Sequence, residues 1–139
     1  MNILEVKDLN MSYKTIDGNV DAVKDVSFTV KQGESFGLVG ESGCGKTSVA
    51  MSLLQLQADN GKITGGEIIF DGQNIVNLSE AELREVRWSG ISIVFQGAMN
   101  SWNPVVKIGE QIREAMREHY PNKTKDENTK KILELFEIV

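Results

Sequence analysis

The chain has 139 residues, 40% apolar and 25% charged, a composition that suits one globular domain with a real core. A net charge of −5 argues against a surface that coats nucleic acid, and the single cysteine forbids an internal disulfide. No apolar run approaches the ~18 residues of a membrane-spanning helix. The opening residues, Met1-Asn2-Ile3-Leu4-Glu5-Val6-Lys7, lack the basic-then-apolar order of a secretory leader, so a reducing cytosol is the expected compartment. In chain order, residues 3–7 and 25–30 read as strands, joined through Thr15-Ile16-Asp17-Gly18-Asn19, which has hairpin-turn chemistry. Lys31-Gln32-Gly33-Glu34 is the next turn.

The run Ser35-Phe36-Gly37-Leu38-Val39 reads as a buried strand, and it leads into Gly40-Glu41-Ser42-Gly43-Cys44-Gly45-Lys46-Thr47. That octapeptide fits G-x-x-x-x-G-K-[ST], and a helix from Lys46 to Leu56 is expected to leave it. Glycines let successive backbone N–H groups turn inward around a phosphate, and the helix N-terminus adds the positive end of its dipole. Lys46 would reach the β- and γ-phosphates of a nucleoside triphosphate, and the Thr47 hydroxyl would ligate Mg²⁺. The candidate phosphate contacts are Gly40, Ser42, Gly43, Cys44, Gly45, Lys46, Thr47 and Ser48.

Beyond the helix, Asp59-Asn60-Gly61 breaks the pattern, Gly65–Phe70 reads as a strand and Asp71-Gly72 closes it. Ser79 with Glu82 spells a capping box for a short helix through Arg87. Ile91–Phe95 reads as another buried strand, delivering Gln96 at its end. Ile108, Ile112, Ala115, Met116 and His119 share one helical face. Thr124 and Glu127 form a second capping box, and Ile132, Leu133, Leu135, Phe136 and Val139 line the last helix. No repeat, low-complexity tract or domain linker interrupts the chain.

This layout resembles the ATP-binding subunit of ABC transporters: a β-rich start, a tyrosine ahead of the glycine loop, and a strand ending in glutamine after it. Phe95-Gln96-Gly97-Ala98-Met99-Asn100-Ser101-Trp102-Asn103-Pro104-Val105, followed by Ile108-Gly109-Glu110-Gln111-Ile112, is similar to the oligopeptide/dipeptide importer branch. That branch carries a pattern like F-Q-[DE]-P-M-x-S-L-N-P-V before G-E-Q-I; this chain departs from it with Gly97-Ala98 and Trp102. The resemblance implies that Tyr13 stacks on adenine, which an aromatic face can do without hydrogen-bond readout. It implies that Gln96 positions the attacking water and joins Thr47 on Mg²⁺, and that residues 97–112 form the surface facing the membrane subunit. Trp102 is then either a contact of that surface or a core residue.

The expected fold is α/β: a P-loop NTPase core of the ABC ATPase type, with an N-terminal antiparallel β portion and the start of a helical subdomain. The family continues with an L-S-G-G-Q signature, an apolar strand ending in Asp-Glu and a switch histidine, and none of these occurs within residues 1–139. The resemblance therefore implies the N-terminal part of a longer nucleotide-binding domain, with ATP and Mg²⁺ as cofactors and negligible hydrolysis by these residues alone. Implied partners are membrane-spanning permease subunits, a second ATP-binding subunit (the same or a paralogue) and, indirectly, an extracytoplasmic solute-binding protein. Nucleic acid is not an expected partner, and the expected place is the cytoplasmic face of the plasma membrane. Two other readings stand beside import: an ABC ATPase without a membrane partner, and a nucleotide-binding remnant of a truncated or split gene. Cys44 reads as a small residue tolerated in the loop rather than a nucleophile. His119 edges an amphipathic helix, and Glu110, Glu114 and Glu118 with Arg113 and Arg117 are helix-surface pairing.

Overall fold

The computed structural model describes residues 1–95, 97 and 102–138. They fall into two compact units, Met1–Ser92 and Ile93–Val139.

In the first unit, β1 (Asn2–Thr15) and β2 (Gly18–Lys31) form a long hairpin, and β3 (Gly61–Phe70) pairs with the other side of β1. A short β4 (Gln73–Asn74) completes a four-stranded antiparallel sheet in the order β2-β1-β3-β4. The Asp71-Gly72 turn between β3 and β4 takes φ 45° and 81°, the left-handed pair that suits a two-residue hairpin. The core lies on one face of this sheet: Val6, Leu9, Met11, Ile68 and Ile75 are at most 1% exposed, and Val49 and Leu83 pack with them. Each such side chain contributes about 1.5–3 kcal/mol by leaving water.

Both hairpin strands outrun the expected 3–7 and 25–30, because bulges interrupt the alternation that marks a strand. Asp8 and Asp25 adopt φ 46° and 49°, which short polar side chains tolerate. The Asp8 N–H donates to Ser27 Oγ at 2.8 Å, and Asn10 Nδ2 donates to the Asp8 carbonyl at 2.8 Å and to Asp25 Oδ1 at 3.0 Å. Across from this irregularity on β3 sits Gly66 at φ 89°, where a Cβ would lie 2.3 Å from the Asp8 carbonyl oxygen. Only glycine fits there.

Helix α1 (Lys46–Leu53) follows the glycine loop and ends one turn earlier than the expected Leu56. Helix α2 (Glu80–Glu85) starts where the first capping box, Ser79 with Glu82, predicts, and both reciprocal hydrogen bonds of the box are present. It widens into a π-helical turn at Val86–Gly90, a feature with no sequence signature.

Two expected strands do not form. Residues 35–39 and 91–95 run without regular structure, and Val39 and Val94 are 92% and 88% exposed. A strand exists only when a neighbour takes its backbone N–H and C=O groups. The antiparallel strands find such neighbours through short turns, whereas a parallel strand depends on a partner reached by a long crossover. Among the described residues no such partner faces either segment.

The second unit contains α3 (Ile108–His119) and α4 (Lys125–Ile138). Thr124 and Glu127 cap α4 as expected: the Thr124 N–H and hydroxyl donate to Glu127 Oε2 at 2.8 and 2.7 Å. Met116 and Ile132 are buried, while Leu133, Leu135, Phe136 and Ile138 remain at least 46% exposed. The expected face of α3 is thus only partly covered, since Ile108 is 47% exposed and Ala115 is exposed as well.

Candidate nucleotide site

The hairpin and the glycine loop meet at one cavity of about 520 Å³, lined by Tyr13, Val20, Asp21, Ala22, Lys46, Thr47 and Ser48 together with the loop backbone. β1 brings Tyr13 there by pairing it with Val20 on one side and Gly61 on the other. The missing side chain at Gly61 makes room for the ring: a Cβ would stand 2.9 Å from Tyr13 Cε1. The Tyr13 hydroxyl lies 3.3 Å from Ser48 Oγ on α1, so the aromatic and the phosphate-loop helix are in hydrogen-bond contact.

The loop owes its path to its glycines. Gly43 and Gly45 take φ 81° and 93°, and Gly45 is also the N-cap of α1. A Cβ at Gly45 would come within 2.3 Å of the Ala22 carbonyl oxygen, so the position is closed to any other residue twice over. Ala22 is the extra residue of a bulge, since the register passes from Met11↔Val23 to Ser12↔Asp21. That bulge brings the β2 backbone up against the loop. Because the N-cap is glycine, no side chain caps the first turn of α1, and its N–H groups are left for an anion.

Lys46 curls back over the loop. Its ammonium donates to the Gly40 and Glu41 carbonyls at 2.8 and 2.6 Å and lies 3.5 Å from Cys44 Sγ. A cation is thus held inside the turn of backbone that the sequence assigns to phosphate, a charge arrangement suited to a polyanion. Cys44 is an exposed free thiol at the rim. Among the described residues no cluster of three or more His, Cys, Asp or Glu could hold a metal, although the Asp21 carboxylate lines the same cavity.

Of the expected site residues, the structure brings Tyr13, Gly43, Cys44, Gly45, Lys46, Thr47 and Ser48 to this cavity, with Gly40 tied in through the Lys46 ammonium. Ser42 belongs to the same exposed turn. Gln96 lies outside the described residues, as does most of Gln96–Ser101. The β2 wall, Val20 to Ala22, has no motif and was not foreseen; counting back from the hairpin turn would have placed Val20 across from Tyr13. In the second unit, Gln111 braces the segment after Trp102. Its amide donates to the Asn103 and Val106 carbonyls at 3.0 and 2.8 Å and accepts from the Asn103 N–H at 3.0 Å. Trp102 and Val105 are 38% and 88% exposed on that segment.

Residues 23–139 match the family model described as ABC transporter. The oligopeptide transport ATP-binding protein OppD of Salmonella typhimurium is 47% identical over 117 residues, which cover 84% of this chain and 35% of that protein. The dipeptide transport ATP-binding protein DppD of Lactococcus lactis is 39% identical over 137 residues, 99% of this chain and 39% of that one. The chain therefore spans little more than a third of the length of these relatives. Among solved structures, the ATP-binding cassette MJ0796, a dimer in a post-hydrolysis state bound to ADP and Pi, superposes with a TM-score of 0.78 at 26% identity. That match covers 94% of this chain and 54% of the cassette. The glycine loop, the tyrosine beside it and these matches carry one conclusion: the chain belongs to the ABC transporter family of ATP-binding cassettes.

Proposed function

We propose that this chain binds ATP with Mg²⁺, as the N-terminal part of an ATPase subunit that energises import of oligopeptides, dipeptides or related solutes. The observation that carries the reading is the shared cavity: Tyr13 and the glycine loop with Lys46 open onto one space, at the N-terminus of one helix. Tyr13 offers an adenine platform, the Gly43–Lys46 backbone and the Lys46 ammonium take the β- and γ-phosphates, and Ser42 and Ser48 flank them. Bound Mg²⁺ would neutralise β- and γ-oxygens, with the Thr47 hydroxyl as its protein ligand and Gln96 as the second. On phosphate entry Lys46 exchanges the Gly40 and Glu41 carbonyls for charged oxygens, so the cation is redirected rather than brought in from water.

Peptide import is supported by the names of the relatives, and pairing with a second ATP-binding subunit by the dimeric state of the solved cassette. The segment braced by Gln111, with Trp102 and Val105 outward, is the surface we assign to a permease subunit, and with it we assign the protein to the cytoplasmic face of the membrane. Among the described residues no helix is long and apolar enough to cross a membrane. Hydrolysis is not expected from residues 1–139, since they include no Asp-Glu strand end to activate water.

Lys46→Ala tests the reading. We expect its affinity for MgATP to fall by about 100-fold or more, the scale of truncating one partner of a charge-assisted contact, with an unchanged circular dichroism spectrum. Equal MgATP binding by the two proteins would remove the nucleotide site.

A further inference from the structure

The C-terminal end of α1 (Lys46–Leu53) is closed both by its own backbone and by a side chain from outside the helix. The helix closes in a Schellman arrangement: the Leu56 N–H donates to the Met51 carbonyl at 2.9 Å and the Gln55 N–H to the Ser52 carbonyl at 3.1 Å. Glycine usually occupies the left-handed position of this motif, but here Gln55 does so at φ 49°. Its side-chain amide donates to the Ile75 carbonyl, which ties the strained residue to the segment after β4.

Arg87 then takes the two carbonyls that follow the helix. Its Nε donates to the Leu54 carbonyl at 2.7 Å, Nη2 to the Gln55 carbonyl at 3.0 Å, and Nη1 to Glu80 Oε1 at 2.7 Å. All three arms of a planar, permanently charged fork are thereby used, at the negative end of the helix dipole. Arg87 belongs to the π-helical turn Val86–Gly90, closed by the Ile91 N–H donating to the Val86 carbonyl at 2.8 Å. The turn packs closely on the sheet at Gly90, where a Cβ would lie 2.5 Å from Phe70 Cε1. It leads directly into residues 91–95.

One short rod thus carries the phosphate loop at its N-terminus and the Arg87 fork at its C-terminus, about 12 Å apart by helix geometry. A rod of that length moves as a body, so a displacement at Lys46 is felt at Leu54 and Gln55. Single π-helical turns next to α-helices are rare and are frequently found at functional sites. We propose that Arg87 is a positioning residue for the phosphate-loop helix, linking a nucleotide in the loop to the π-helical turn that leads into residues 91–95. This rests on the reading of the glycine loop as a nucleotide site. By linkage, a ligand that tightens the fork is itself bound more tightly because of it.

The test uses the 139-residue chain and MgATP, with equilibrium binding and amide hydrogen exchange. Arg87→Met is expected to weaken binding about tenfold, within the ordinary range of coupling between two sites. Arg87→Lys should fall between the two, because an ammonium is a point charge without the fork. MgATP should slow exchange at residues 86–91 in the parent and not in Arg87→Met. If Arg87→Met fails to fold, Glu80→Gln loosens the third arm from an exposed carboxylate and should cost about twofold while reducing the same protection. Unchanged affinity and unchanged protection in the variant, even with a lower melting temperature, would make Arg87 a structural brace only and overturn the proposal. A parent that does not bind MgATP would instead overturn the nucleotide reading, and the linkage with it.

Discussion

Strand β1 and the segment at residues 35–39 are both rich in apolar residues, yet one carries much of the buried core and the other is largely bare. Leu9 and Met11 are fully buried on β1, whereas Phe36, Leu38 and Val39 are 45%, 41% and 92% exposed. Phe36 does find one neighbour, stacking on Phe28 with ring centroids 4.9 Å apart. The difference lies in where each finds its hydrogen-bonding partner, not in hydrophobicity. A hairpin brings its partner along a few residues later, while a strand meant for a parallel sheet waits for one far along the chain.

The contrast can be broken by mutation, and the largest effect should come from the sheet core. Ile68→Ala removes a fully buried side chain facing Val6 and should cost about 3 kcal/mol in a denaturant titration. A loss under about 1 kcal/mol would mean that the sheet is not where stability resides. Val39→Lys, on the bare segment, should change stability by no more than about 0.5 kcal/mol. It should also raise soluble yield, because exposed apolar segments with unpaired backbone promote aggregation. A large destabilisation there would indicate that residues 35–39 are packed in solution.

The smallest effect concerns the helix caps. Hydrogen bonds from the Ser79 side chain and then its backbone hold the Glu82 carboxyl below the ordinary glutamate value of 4.5. Glu127 is lowered in the same way by the Thr124 backbone and side chain. A carboxyl lowered in the folded state stabilises fully above its unfolded value and loses that contribution as pH falls through the folded one. Glu82→Ala should therefore lower the melting temperature slightly at pH 7, and the gap to the parent should close as the pH drops below about 4. A gap that persists at pH 3 would show that the Glu82 charge is not what matters.

Most of the glycine loop's path was legible because it is written in side-chain identity: glycines for the turn, then Lys46 and Thr47 at the start of a helix. The capping boxes were legible for the same reason. What escaped was carried by the backbone. The hairpin strands looked short because Asp8 and Asp25 read as interruptions, when cross-strand hydrogen bonds turn them into bulges inside a continuous ladder. Helix α1 looked longer because Gln55 is not the glycine that usually announces a left-handed stop. Strands at 35–39 and 91–95 were read from local apolarity, which says nothing about whether a partner will be present. The β2 wall of the cavity beside the glycine loop was missed because its contribution at Ala22 is a carbonyl group.

That last contact has a consequence for how the family would vary. The atom closest to Gly45 belongs to the main chain, and every amino acid has it. Position 22 can therefore change identity across relatives without relaxing its hold on the loop, while position 45 cannot change at all. Two residues in contact would then leave opposite records: one invariant, the other free to drift, with no covariation between them. A search for coupled substitutions would pass over the contact that shapes the glycine loop.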